Sequence, residues 1–132
     1  MRPKLAIVPG DPSGIGPELI AKLLAEDGVC DAADIVLVGD AHLWQRGGEQ
    51  AGTEITLNTI SEHEIATFEG LSHLDLETIS PEQVDVANVT VAGGTTSLRC
   101  LDKALDLAQA GQVDGVLFAP FNKAAMTSAG LN

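Results

Sequence analysis

The chain has 132 residues, 45% of them hydrophobic, with 7 Lys+Arg against 19 Asp+Glu and a formal charge of −12. That length suits one domain with a buried core, and the dense apolar content argues against disorder. So few cations, with no Lys/Arg stripe, exclude a phosphate-backbone binder and disfavour an anionic membrane surface.

Met1-Arg2-Pro3-Lys4 faintly resembles the start of a secretion signal, but the apolar run Leu5–Val8 stops at Pro9-Gly10-Asp11 and is too short to serve as one. Lys4–Val8 instead reads as a β-strand. Pro17–Glu26 then places Leu19, Ile20, Leu23 and Leu24 at helical spacing. A second strand over Asp34–Val38 closes at Gly39-Asp40, and Ala41–Gln50 is helical in composition with Gly47-Gly48 interrupting it. Ile55–Leu57 suggests a third strand, whereas Ser61–Asn88 carries no clean period and reads as an irregular excursion with short strands.

Order returns after Gly93-Gly94, where Leu98, Leu101, Leu105 and Ala108 recur at helical spacing opposite Arg99, Asp102, Lys103 and Asp106, with Thr95 or Thr96 as the expected cap. Gly111 ends that helix, Val116–Phe118 reads as a buried-type strand, and Pro120 precedes a last helix from about Asn122 to Ala129. Alternation of strands and helices predicts a three-layer α/β/α fold on a mostly parallel sheet. No apolar run approaches the roughly 18 residues needed to cross a bilayer. Cys30 and Cys100 lack a CxxC partner or a His at ligand spacing, which points to reduced thiols in a cytoplasmic protein.

The chemistry concentrates in two loops. Pro9-Gly10-Asp11-Pro12-Ser13-Gly14-Ile15-Gly16-Pro17-Glu18 joins the first strand to the first helix, where glycines allow positive φ and close ligand approach and a helix start offers free N–H groups to an anion. Such a loop lies outside the carboxyl ends of the strands, where ligands of open α/β sheets bind. The spacing is neither GxGxxG nor a P-loop, and the same residues would also serve turn geometry alone. Asp11 would hold a cation or a substrate amine, or cap an Asx-type turn.

Ala119-Pro120-Phe121-Asn122-Lys123 follows the last strand; Asn122 would cap the final helix, and the Lys123 ammonium would face a phosphate or carboxylate near Asp11 or lie solvated. His42, His63 and His73 form no familiar ligand pair, and His63 and His73 read as surface or turn residues. Trp44 and Phe68 read as packing anchors.

The stretch PGDPSGIGPE after the strand LAIV resembles the N-terminal signature of the 4-hydroxythreonine-4-phosphate dehydrogenase (PdxA) family, and APFNKAAMTSAG, Ala119–Gly130, is similar to its Pro-x-x-Lys segment. The first loop also resembles the PGDGIGPE loop of isopropylmalate and isocitrate dehydrogenases, which implies their fold. The resemblance implies NAD-dependent oxidation and decarboxylation of 4-phosphohydroxy-L-threonine or a related hydroxy acid, as in pyridoxal phosphate biosynthesis, assisted by a divalent metal (Zn, Mg or Mn) acting as a Lewis acid. It implies a homodimer with shared sites.

Carried over by position, Gly10, Asp11, Gly14, Gly16, Asn122 and Lys123 match the family's segments at the substrate and cofactor cleft. No catalytic residue is assigned, and none of His42, His63 or His73 matches a metal-ligand position. Relatives often carry a tyrosine within the helix at Gly94–Leu105, where this chain has Leu98, Cys100 and Leu101. Related dehydrogenases oxidise phosphorylated threonate and aromatic dihydrodiol carboxylates, and nothing in this segment separates those substrates. The expectation is that residues 1–132 form the N-terminal part of such an enzyme, inactive by itself. The rival expectation is a non-catalytic anion-binding or assembly module of the same fold.

Overall fold

Short runs of aliphatic residues cannot bury both faces of a strand alone, and here they do so by pairing. The computed structural model describes residues 2–85, 88 and 90–130. Strands β1 (Lys4–Val8), β2 (Asp34–Val38), β3 (Leu71–Leu74) and β4 (Gly115–Phe118) form one parallel sheet in the order β3-β2-β1-β4. The helices are α1 (Gly16–Leu24), α2 (Val29–Ala32), α3 (Ala41–Ala51), α4 (Val91–Gln109) and α5 (Lys123–Ser128).

Alternation along β1 and β2 divides the core in two. Ala6, Val8, Val36 and Val38 meet Cys100, Ala104 and Leu107 of α4, together with Ile65 and Phe68. On the other face Ile7, Ile35 and Leu37 meet Ile20 of α1 and Trp44 of α3. All five residues of β2 are buried, as an inner parallel strand covered on both faces requires. The result is the three-layer α/β/α arrangement expected from the sequence, with Trp44 and Phe68 as packing anchors. Among the described residues no helix is long and apolar enough to cross a membrane.

Several elements depart from the sequence reading. The third strand is not Ile55–Leu57 but β3, within the stretch read as irregular. Ile55 and Leu57 do alternate inward against the core, yet the segment joins the sheet only through an isolated bridge between Thr59 and His73. His73 is fully buried rather than a surface residue: its Nε2–H donates to the Gly39 carbonyl at 2.6 Å, and Nδ1 accepts from Thr59 Oγ1 at 2.9 Å. Those two partners satisfy a neutral ring, which is why a histidine can replace an aliphatic residue here. His63 is exposed, as expected.

Helix α3 continues through Gly47 and Gly48, which lie in the helix interior. Helix α4 begins at Val91, with Thr90 rather than Thr95 or Thr96 as its cap, accepting from Gly93 N–H at 2.9 Å. Its buried residues are Gly93, Gly94, Thr96, Ser97, Cys100, Ala104 and Leu107, so the leucine stripe is turned toward the flank, with Leu105 46% exposed. Small residues let α4 approach both the sheet and α5.

Gly94 is the extreme case, since a Cβ there would lie 1.9 Å from the Ala125 carbonyl oxygen of α5. Finally, β4 is the outer strand rather than a buried one. Leu117 is 41% and Phe118 59% exposed, and Leu19 and Leu23 of α1, with Ile15 just before it, are further exposed apolar residues.

Gly94→Ala is expected to lower unfolding stability by about 2–3 kcal/mol through overpacking at the α4–α5 contact, whereas Gly14→Ala stays within about 0.5 kcal/mol; urea titration followed by circular dichroism compares them. The Cys100 thiol is pushed up from 9.0 to about 12, chiefly by burial and secondarily by Asp40, with Arg99 opposing. A thiol reagent at pH 8 is therefore expected to modify half-buried Cys30 in the folded chain and Cys100 only after denaturation. The unfolded chain gives up its thiol proton near pH 9 while the folded chain keeps it, so stability should fall as pH rises from 9 toward 12. Cys100→Ala should flatten that slope.

Candidate functional site

The order β3-β2-β1-β4 makes the chain leave β1 toward one edge of the sheet and return to the other, so the topological switch lies between β1 and β4. In open α/β sheets the crevice outside the carboxyl ends of such strands is where ligands bind. Both loops singled out in the sequence open there. Residues 9–15 follow β1, and residues 119–122 follow β4.

The two loops are tied together by backbone. Asp11 N–H donates to the Pro120 carbonyl at 3.2 Å, across 109 positions of sequence. Gly10 has φ +74°, and a Cβ there would lie 2.3 Å from the same carbonyl oxygen, so both its conformation and its lack of a side chain are required. Ser97 of α4 adds a hydrogen bond from Oγ to the Gly10 carbonyl at 3.2 Å. Gly16 likewise sits where a Cβ would strike the Pro9 carbonyl. Gly10 and Gly16 thus serve close packing within the chain, whereas Gly14 is exposed and has room beside it.

Asp11 is buried, and its two oxygens differ. Oδ1 accepts from Ser13 N–H at 2.8 Å and Gly14 N–H donates to the Asp11 carbonyl at 3.0 Å, which together make an Asx-supported turn. Oδ2 has no hydrogen-bond partner among the described residues, and neither does Ser13 Oγ. The Asx reading thus accounts for one carboxylate oxygen only.

On the opposite side Asn122 caps α5 by accepting from Ala125 N–H at 3.1 Å, as expected. Its neighbour Lys123 is exposed and makes no ion pair among the described residues. Asp11, Ser13, Gly14, Asn88, Asn122 and Lys123 line a shared cavity of about 580 Å³. The structure therefore brings Asp11, Gly14, Asn122 and Lys123 to one mouth, with Gly10 and Gly16 buttressing it from behind. Ser13 and Asn88 line the same mouth but were not singled out from the sequence; Ser13 lies inside the recognised loop, and only its missing partner marks it.

A second cleft of about 510 Å³ follows β2 and β3 and includes Asp40, His42, Asp75 and Glu77. Asp40 is consumed structurally: its carboxylate accepts from Thr78 N–H, Thr78 Oγ1 and Ile79 N–H at 2.7–2.8 Å. His42 Nε2 hydrogen-bonds the Ile79 carbonyl at 2.6 Å. Among the described residues no three or more His, Cys, Asp or Glu side chains gather as a metal-binding group.

Comparison with known proteins agrees with this architecture. Residues 31–132 match the sequence profile described as pyridoxal phosphate biosynthetic protein PdxA. A Rhizobium meliloti protein, provisionally named 4-hydroxythreonine-4-phosphate dehydrogenase 2, is 41% identical over 95% of this chain and 36% of its own length. The D-threonate 4-phosphate dehydrogenase of Salmonella typhimurium is 35% identical over 97% of this chain and 40% of its own. Among solved structures, a 4-hydroxythreonine-4-phosphate dehydrogenase from Burkholderia phymatum superposes with a TM-score of 0.87 at 28% identity, covering 98% of this chain and 40% of that one. The chain thus spans about 40% of the length of these relatives. A profile match across residues 31–132, joined to a parallel sheet that superposes on a solved relative over nearly its whole length, places the chain in the PdxA family of dehydrogenases.

Proposed function

We propose that this chain forms one wall of the active-site cleft of an NAD-dependent dehydrogenase that oxidises and decarboxylates a phosphorylated hydroxy acid, 4-phosphohydroxy-L-threonine or D-threonate 4-phosphate. The observation that carries this reading is the cavity at the β1–β4 switch point, lined by the exposed Lys123 of one loop and the buried Asp11 of the other. An exposed ammonium at this mouth is a partner for a ligand's phosphate, and the Asn88 and Asn122 residues that line the same cavity carry amides for its other polar groups.

In this reading Lys123 binds the phosphate, Asn122 fixes the turn from which Lys123 departs, and the Gly10–Pro120 contact holds the two walls at constant separation. Gly14 lets a ligand lie against backbone. NAD, when bound, supplies the hydride acceptor, and its phosphates and ribose hydroxyls are groups that this donor set can meet. A divalent metal, zinc, magnesium or manganese, does not fit the described residues as a resident ion, because they gather no ligand group. Residues 1–132 are accordingly read as the N-terminal part of the enzyme, with metal ligands drawn from the portion the relatives have in addition. Assembly as a homodimer belongs to the same reading, and the exposed apolar residues of β4 and α1 are surface that a second copy or the rest of the enzyme would cover.

The test joins residues 1–132 to the remaining sequence of the Salmonella typhimurium relative. The joined chain is expected to reduce NAD with one of the two substrates, while the 132-residue chain is not; Lys123→Ala should raise KM about tenfold with a smaller change in kcat. No NAD reduction by the joined chain with either substrate would remove the dehydrogenase reading and leave an anion-binding or assembly module.

A further inference from the structure

We propose that Ser97 is a positioning residue for the β1–β4 mouth: its hydroxyl holds the Gly10–Asp11 peptide and, through that peptide, the loop that forms the first wall. Its effect on a ligand rests on the cleft reading above, whereas its geometry belongs to the chain alone.

One peptide unit is gripped at both ends. The Gly10 carbonyl accepts from Ser97 Oγ of α4 at 3.2 Å, and the N–H of the same unit, on Asp11, donates to the Pro120 carbonyl at 3.2 Å. A trans peptide is planar and points its C=O and N–H in opposite directions, so bonds to two different elements fix the plane against rotation. Gly10, Asp11 and Ser97 are all buried, and no backbone N–H among the described residues reaches the Gly10 carbonyl. A buried carbonyl needs a donor, and here the donor is a side chain 87 positions away.

The serine hydroxyl has two acceptors within reach and one proton to give. The other acceptor is the Gly93 carbonyl, at 3.0 Å, one turn back along α4. That carbonyl lies inside the helix, where the ladder already supplies it with the Ser97 N–H. The Gly10 carbonyl has no such second donor, so leaving it unpaired is the costlier arrangement and the hydroxyl belongs to it. Without the hydroxyl the peptide is held at one end only. Gly10, at φ +74° and without a side chain, offers little resistance to rotation of the unit. The Asp11–Pro120 bond then opens, and residues 11–15 lose their fixed separation from Asn122 and Lys123.

Amide hydrogen exchange of the 132-residue chain, read by two-dimensional NMR, tests the assignment. In Ser97→Ala the Asp11 amide is expected to exchange about tenfold faster than in wild type, after correction for any change shared with the Val36 and Leu37 amides of the inner strand β2, which report global opening. Ser97→Cys fills nearly the same space but donates weakly, and should behave as Ser97→Ala does. In the chain joined to the remaining sequence of the Salmonella typhimurium relative, Ser97→Ala should raise KM for the phosphorylated substrate about fivefold with a smaller change in kcat.

An Asp11 amide that is unprotected in wild type, or that quickens only in step with Val36 and Leu37, would overturn the proposal by showing that Ser97 contributes packing alone. So would wild-type protection of Asp11 in Ser97→Cys, or an unchanged KM in an active joined chain. A joined chain that reduces no NAD would remove the dehydrogenase reading instead, because the exchange rates decide whether Ser97 holds the peptide whatever the cleft binds.

Discussion

The contact between Gly10-Asp11 and the Pro120 carbonyl is the constraint on which the site depends. It joins the ends of two adjacent parallel strands that are far apart in sequence, and it does so where no side chain can intervene. A residue with a Cβ at position 10 would push the Pro120 segment away, carrying Asn122 and Lys123 with it. The separation of the two loops is therefore set by backbone packing, while the Lys123 side chain stays exposed. In the function proposed above, such preorganisation would let a small polar cleft take up a ligand without first ordering its own walls.

Layering reinforces that constraint. Helix α4 touches the first loop through Ser97 and, through the Gly94–Ala125 contact, the helix α5 that follows the second loop, so a single helix buttresses both walls. The same helix supplies Cys100, Ala104 and Leu107 to the core beneath β1 and β2. Stability of the sheet and geometry of the cleft are therefore coupled, and damage to the α4 packing would be felt in both. In the acidic loop after β3, by contrast, Asp40 is engaged internally by Thr78 and Ile79.

What the sequence disclosed follows from where the determinants lie. β1, β2, α1 and the Asn122 cap were legible because their signals are local: an apolar run, a helical stripe, a capping side chain before a helix. β3 was hidden because Ser72 and His73 are polar, and the bonds that make His73 tolerable come from Gly39 and Thr59, which are distant in sequence. The start of α4 was misplaced because Gly93-Gly94 reads as a helix breaker, whereas in the fold these glycines answer to the proximity of α5. The loop motif after the first strand lies, in the fold, at the mouth between β1 and β4. It could not divide its glycines into packing and ligand-facing positions, nor mark Ser13, whose distinction is the lack of a partner.

The outer strand has one more consequence. Among the described residues β4 pairs with β1 alone, and its Gly115-Val116-Leu117-Phe118 carries no charge or proline, the devices by which edge strands ordinarily deter unwanted pairing. Against that stands a formal charge of −12, which keeps copies of the chain apart at long range. Colloidal behaviour is then a contest between electrostatic repulsion and ladder formation at contact distance. Added electrolyte screens the repulsion over roughly 10 Å at 0.1 M and leaves the amide–carbonyl ladder almost untouched, so ionic strength shifts the balance toward assembly.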